Sequence, residues 1–132
     1  TGEMMGKGIW RLTVRSEFSA GHALRHYEGK CENLHGHNFA VELTVEGDSL
    51  TPDTELLSDF KILRQCLKNV LETLDHRILN DVPPFDRINP SSENLARHIW
   101  QQLRAPLEAC GVRPHAVTVS EKAAQSATYM EL

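Results

Sequence analysis

The chain has 132 residues, with 14 Lys+Arg against 18 Asp+Glu and a formal net charge of −4. That length sets one domain with a real core, burying about two-thirds of the unfolded surface. At 40% hydrophobic and 24% charged residues the composition excludes a disordered chain.

The acidic balance argues against nucleic acid as the main partner. No run approaches the roughly 18 apolar residues of a membrane span, so no membrane is expected. No charged, apolar and small-residue leader opens the sequence, and three cysteines cannot complete an intramolecular disulfide framework. A reducing cytoplasm is therefore the expected compartment. Residues 1–8 carry no periodic pattern and read as a flexible start, with residues 9–132 as the single domain.

Residues 9–20 alternate: Trp10, Leu12, Val14 and Phe18 share even parity, while Arg11, Thr13, Arg15 and Glu17 are odd. This is a half-buried strand. A second strand spans 35–46, with Phe39, Val41, Leu43 and Val45 inward, until Gly47-Asp48-Ser49 breaks it. Ser58 or Asp59 caps a helix whose apolar residues Phe60, Leu63, Leu67, Val70, Leu71 and Leu74 form one stripe. A proline-rich loop comes after Leu79. Ser91-Ser92 precede a second helix with Leu95, Ile99 and Leu103 on one side, which Pro106 and Gly111 end or kink. Strands over 116–121 and 127–132 close the chain. The expected fold is α+β: an antiparallel four-stranded sheet with two helices on one face, in the order β-β-α-α-β-β.

The histidines carry the chemistry. His35 and His37 are two apart, so on a strand they share a face, about 6.5–7 Å apart at Cα. Their parity is that of Phe39 and Val41, and His22 has the parity of Val14 and Phe18. If both strands hold register, three imidazoles arrive on one apolar side. Three neutral imidazoles with an open fourth position are the donor set of a catalytic Zn²⁺ site. The competing reading is three histidines that only hydrogen-bond. His26, His98 and His115 have no such argument, and a surface or packing role is the default for His98, on a helix beside Trp100.

Cys31 lies four residues before His35. A nearby cation raises a thiol's thiolate fraction, making it a candidate base or nucleophile; the alternatives are an inert loop cysteine or a fourth zinc ligand. Cys66 and Cys110 lie away from the histidines and read as structural. Asp75 precedes His76, and a carboxylate can fix an imidazole's tautomer. Glu121 continues the inward parity of Val117 and Val119. A carboxylate there is costly unless paired, and could accept the N–H groups of a flat heterocycle; the plainer reading is a strand-end residue that reaches water.

These residues resemble a known family. F-S-A-G-H-A-L (18–24), C-E-N-L-H-G-H-N-F (31–39), D-F (59–60), L-D-H-R-I-L-N (74–80), P-S-S-E-N-L-A-R-H-I-W (90–100) and S-E-K with A-T-Y (120–129) are similar to the pterin synthases of the tunnelling fold. That family includes 6-carboxy- and 6-pyruvoyl-tetrahydropterin synthases. The resemblance implies zinc held by His22, His35 and His37, a catalytic Cys31 with Asp75 and His76 as proton-transfer partners, and Glu121 with Ser91 and Ser92 at the pterin ring. It implies 7,8-dihydroneopterin triphosphate as substrate. The short C-xxx-H-G-H spacing resembles the 6-carboxy branch, which releases acetaldehyde and triphosphate and serves queuosine and deazapurine biosynthesis. It also implies a homo-oligomer, a hexamer of two stacked trimers. Gly21, where Ala is common, and Lys122, where Thr is usual, depart from the pattern. Arg25, His26 and Lys30 are the cations expected to draw in the polyanion. The rivals are the 6-pyruvoyl branch, a non-catalytic zinc- or pterin-binding protein, and a generic zinc hydrolase.

Overall fold

Two long strands organise the molecule, whose computed structural model describes residues 6–29 and 33–132. β1 (Trp10–His22) and β2 (His35–Gly47) pair antiparallel without interruption, from Trp10 opposite Gly47 to His22 opposite His35. Alternation decides the faces. Val14, Phe18 and Ala20 of β1 and Phe39, Val41, Leu43 and Val45 of β2 are buried. The outer face carries cross-strand polar pairs, Thr13 with Thr44 at 3.1 Å and Arg15 with Glu42 at 2.8 Å.

α1 (Phe60–Glu72) starts at Asp59, whose side chain accepts the Lys61 N–H. Leu63, Leu67 and Leu71 recur every four residues and are buried in one stripe. Burial of each contributes roughly 1.5–3 kcal/mol relative to exposure, which fixes the helix to the sheet. A two-residue strand, β3 (Arg77–Ile78), comes next. α2 (Ser92–Ala109) starts at Ser91, whose hydroxyl accepts the Asn94 N–H, and buries Leu95, Ile99, Leu103 and Leu107. Both helices cover the same face of the sheet. β4 (Arg113–Lys122) and β5 (Gln125–Tyr129) complete it.

Among the described residues the sheet has five strands, ordered β3-β1-β2-β4-β5, rather than the four antiparallel ones expected. The extra strand is β3, which pairs parallel with Ala20 and Gly21 of β1 and is exposed. Two exposed residues carry no period to read. The last strand also ends earlier than expected, and β4 starts earlier. Pro106 lies inside α2 and does not end it. Proline frees the carbonyl four residues back, and here both Gln102 and Pro106 are exposed, so that carbonyl faces water while Leu103 and Leu107 hold the core side. The stop is at Gly111, at φ +79°. Its N–H bonds the Glu108 carbonyl and the Val112 N–H bonds that of Leu107, the paired closure that favours glycine.

At the end of the sheet away from His22, His35 and His37, Glu46 is buried although charged. It accepts from Arg113 Nε at 2.8 Å and Arg11 Nε at 3.1 Å, with His115 Nδ1 at 3.5 Å. Burial alone would raise its carboxyl pKa; the Arg113 and Arg11 bonds outweigh this and hold it below its usual value.

Candidate functional site

The register that sets His22 opposite His35 also sets Ala20 opposite His37. His22, His35 and His37 therefore leave the sheet on one face. Each offers a ring nitrogen, and these nitrogens lie within 4.8 Å of one another. Phe39 is the floor: it is fully buried, stacks on Phe18 at 4.9 Å, and meets the His22 and His37 rings edge-on at 5.2 and 5.7 Å.

The second nitrogens determine which way the donors face. His22 Nδ1–H donates to the Pro90 carbonyl at 2.7 Å, and His35 Nδ1–H to the Asn33 carbonyl at 2.7 Å. A carbonyl only accepts, so the proton sits on Nδ1 and Nε2 keeps its lone pair. This is the support metal-bound histidines receive. His22 is 1% exposed, and its Nε2 has no hydrogen-bond partner among the described residues. A buried polar atom left unpaired costs about 1–3 kcal/mol, and a metal ion would satisfy it. The donor set thus fits a divalent metal with imidazole preference. Burial lowers the His22 pKa, outweighing the opposing effects of the Pro90 bond and of Glu121, and keeps the ring neutral.

Glu121 enters from β4. A bulge in the β4–β5 pairing falls between Val119 and Lys122, and such irregularities re-aim side chains. Its Oε1 lies 3.5 Å from His22 Nε2 and its Oε2 3.5 Å from His37 Nε2. Ser92 Oγ donates to Oε1 at 3.3 Å. The two serines differ: Ser92 reaches the site, while Ser91 caps α2. Lys122 is exposed.

Asp75 and His76 lie just past α1. Asp75 Oδ1 accepts the Ser19 N–H at 2.9 Å, and Oδ2 lies 2.9 Å from His76 Nδ1. The Ser19 N–H is the main cause holding the Asp75 carboxyl below its usual range. His76 sits at φ +58° and its N–H bonds the Ser19 carbonyl, so this left-handed turn is anchored to β1 from both sides. The His76 side chain is 82% exposed. One surface groove has both His37 and His76 in its lining, joining the dyad to the triad.

Cys31 and Lys30 lie outside the described residues. Arg25 does not face outward as a free cation. Its guanidinium donates to the carbonyls of Phe85 at 2.7 Å, Ile88 at 3.1 Å and Asn80 at 3.4 Å, so it binds the proline-rich loop. His98 packs on Phe85 at 5.1 Å between ring centres. The carbonyls of Pro90 and Asn33 are site elements that side-chain patterns cannot reveal.

The profile of the 6-pyruvoyl tetrahydropterin synthase family matches residues 11–132. The chain belongs to the 6-pyruvoyl tetrahydropterin synthase family. Within it, the chain is 36% identical over 126 residues to the 6-carboxy-5,6,7,8-tetrahydropterin synthase of Synechocystis sp., covering 92% of this chain and 93% of that one. It is also 36% identical over 104 residues to the 6-pyruvoyl tetrahydrobiopterin synthase of Dictyostelium discoideum, covering 70% and 76%. The solved structure of the Caenorhabditis elegans 6-pyruvoyl tetrahydropterin synthase superposes with a TM-score of 0.81 at 28% identity, covering 98% of this chain and all of that one. The tunnelling fold expected from the sequence is the fold of this family, and the five-stranded mixed sheet with two helices is its form here.

Proposed function

We propose that this chain is a zinc-dependent lyase of the 6-carboxytetrahydropterin synthase type. It would convert 7,8-dihydroneopterin triphosphate and one water to 6-carboxy-5,6,7,8-tetrahydropterin, acetaldehyde and triphosphate, in queuosine and deazapurine biosynthesis. The observation that carries the reading is the group of three histidines with one orphaned, buried nitrogen. The relative from Synechocystis sp., matched over nearly its full length, supports the 6-carboxy branch.

In this reading His22, His35 and His37 hold zinc, which when bound supplies Lewis-acid polarisation of the substrate's side-chain hydroxyls. The protein's own groups do the rest. Glu121 accepts the N–H groups of the pterin ring, with Ser92 bonded to its Oε1, while Ser91 caps the helix that carries Ser92. Cys31 takes the proton as general base. His76 carries that proton onward through Nε2, because Asp75 occupies its Nδ1 side.

The reading includes a homo-oligomer, a hexamer of two stacked trimers. β3 covers β1 only at Ala20 and Gly21, and β5 ends the sheet on the other side. Open edges favour pairing with further strands, and the exposure of His76 supports a neighbouring subunit completing the site. A reducing cytoplasm is the proposed location, in keeping with the free thiols Cys66 and Cys110. Among the described residues no helix is long and apolar enough to cross a membrane.

The test is incubation of zinc-loaded protein with dihydroneopterin triphosphate and identification of products by mass. A 6-carboxy product is expected. A product retaining the pyruvoyl carbons would move the chain to the other branch, and absence of turnover would leave a non-catalytic binding protein.

A further inference from the structure

The edge of β1 beyond His22 is finished by two side chains rather than by a strand. β3 pairs only with Ala20 and Gly21. Two residues on, the Ala23 N–H donates to Asn80 Oδ1 and the Ala23 carbonyl accepts from Asn80 Nδ2, both at 2.9 Å. Two residues further, the Arg25 N–H donates to Asn89 Oδ1 at 2.8 Å and the Arg25 carbonyl accepts from Asn89 Nδ2 at 2.9 Å. Each carboxamide supplies one donor and one acceptor, as a neighbouring strand residue would.

Asn89, unlike Asn80, leads directly into the metal centre. Its own carbonyl accepts from Asn94 Nδ2 at 2.9 Å, so α2 holds its main chain while β1 holds its side chain. The next residue is Pro90, whose carbonyl receives the His22 Nδ1–H at 2.7 Å. Proline has no N–H, so among the described residues the Asn89–Pro90 peptide just ahead of that carbonyl is held only through Asn89, by its carbonyl and its side chain. We propose that Asn89 is a positioning residue for the metal centre: by tying the segment ahead of α2 to Arg25, it fixes the Pro90 carbonyl that orients His22. The inference rests on the metal reading above and extends it to a residue that touches neither metal nor substrate. Partners that orient a ligating histidine typically set affinity by about 10–100-fold. Aspartate keeps the acceptor and loses the donor, and alanine loses both.

The experiment measures zinc affinity by chelator competition and the visible spectrum of the cobalt-substituted protein, for wild type, Asn89→Ala, Asn89→Asp and a control. The control is Glu46→Gln, at the far end of the sheet, which lowers stability without touching the site. The expected result is a loss of about 10–100-fold in zinc affinity for Asn89→Ala, a smaller loss for Asn89→Asp, and altered cobalt bands in both. The control binds zinc as wild type does. An Asn89→Ala protein that binds within twofold of wild type, or loses no more than the control, overturns the inference. If Asn89→Ala does not fold, Asn89→Asp decides by the same criteria. A wild type that binds neither metal overturns the metal reading and this inference together; a wild type that binds, with Asn89 variants that bind equally, overturns this inference alone.

Discussion

Replacing His22 with leucine separates the metal's contribution from that of packing. His22 is 1% exposed, donates from Nδ1 to Pro90, and leaves Nε2 unpaired. Without metal, His22→Leu removes an unsatisfied buried nitrogen, a relief of about 1–3 kcal/mol, and strips the Pro90 carbonyl of its donor, a penalty of about the same size. The metal-free variant should therefore lie within about 1 kcal/mol of wild type. With zinc the two diverge. Free metal at about 100 times the dissociation constant stabilises a native-state site by about 2.7 kcal/mol. For a chain of this length that is a rise of roughly 10 °C in melting temperature. Thermal melts with added zinc and with chelator test both statements. Wild type should rise by that amount and His22→Leu should not move. A variant with the same zinc-induced rise as wild type, or a wild type with none, would refute the assignment of His22 as a ligand.

Glu121→Gln should raise KM for the pterin by 10-fold or more while leaving zinc affinity within about threefold; a zinc loss near 100-fold would make the carboxylate, 3.5 Å from two imidazoles, a metal ligand instead of the ring anchor. In Asp75→Asn the amide can still accept from Ser19 but must donate to His76 Nδ1, moving the imidazole proton to Nε2; kcat should fall by about 10²–10⁴-fold, and a kcat within threefold of wild type would remove the dyad from proton transfer. Glu46→Gln should cost about 1–3 kcal/mol at neutral pH by weakening bonds to Arg11 and Arg113. Because the folded carboxyl titrates below the ordinary value of 4.5, that stabilisation is complete above about pH 4.5 and is lost as pH falls through the folded value. Urea melts that show the same wild-type–variant difference at pH 7 and at pH 3 would contradict it.

Much of the site is legible in the sequence because it sits on strands. Parity alone places His22 with Phe18 and His37 with Phe39, and the observed register needs only that two alternating strands pair without a slip. Glu121 is legible by the same parity, although the bulge that aims it is not. What escapes depends on groups without a side-chain pattern. The Pro90 and Asn33 carbonyls are main chain. β3 has two residues, below any period, and exists because the turn at Asp75-His76 is bonded to Ser19. Arg25 reads as a surface cation because charge shows in sequence, whereas the loop carbonyls that consume it do not. Pro106 reads as a helix stop, yet a proline on the exposed side of a helix whose other side is buried leaves its freed carbonyl to water.

If the three histidines form the centre at which a pterin triphosphate loses both triphosphate and two side-chain carbons, the two losses are coupled and both need the metal ligands. The ratio of acetaldehyde to triphosphate released by the zinc-loaded protein, for wild type and for His35→Ala, measures this coupling. Wild type should release equal amounts, and His35→Ala should release neither. Triphosphate released without acetaldehyde, or undiminished release from His35→Ala, would show that the chemistry is not the one proposed for this centre.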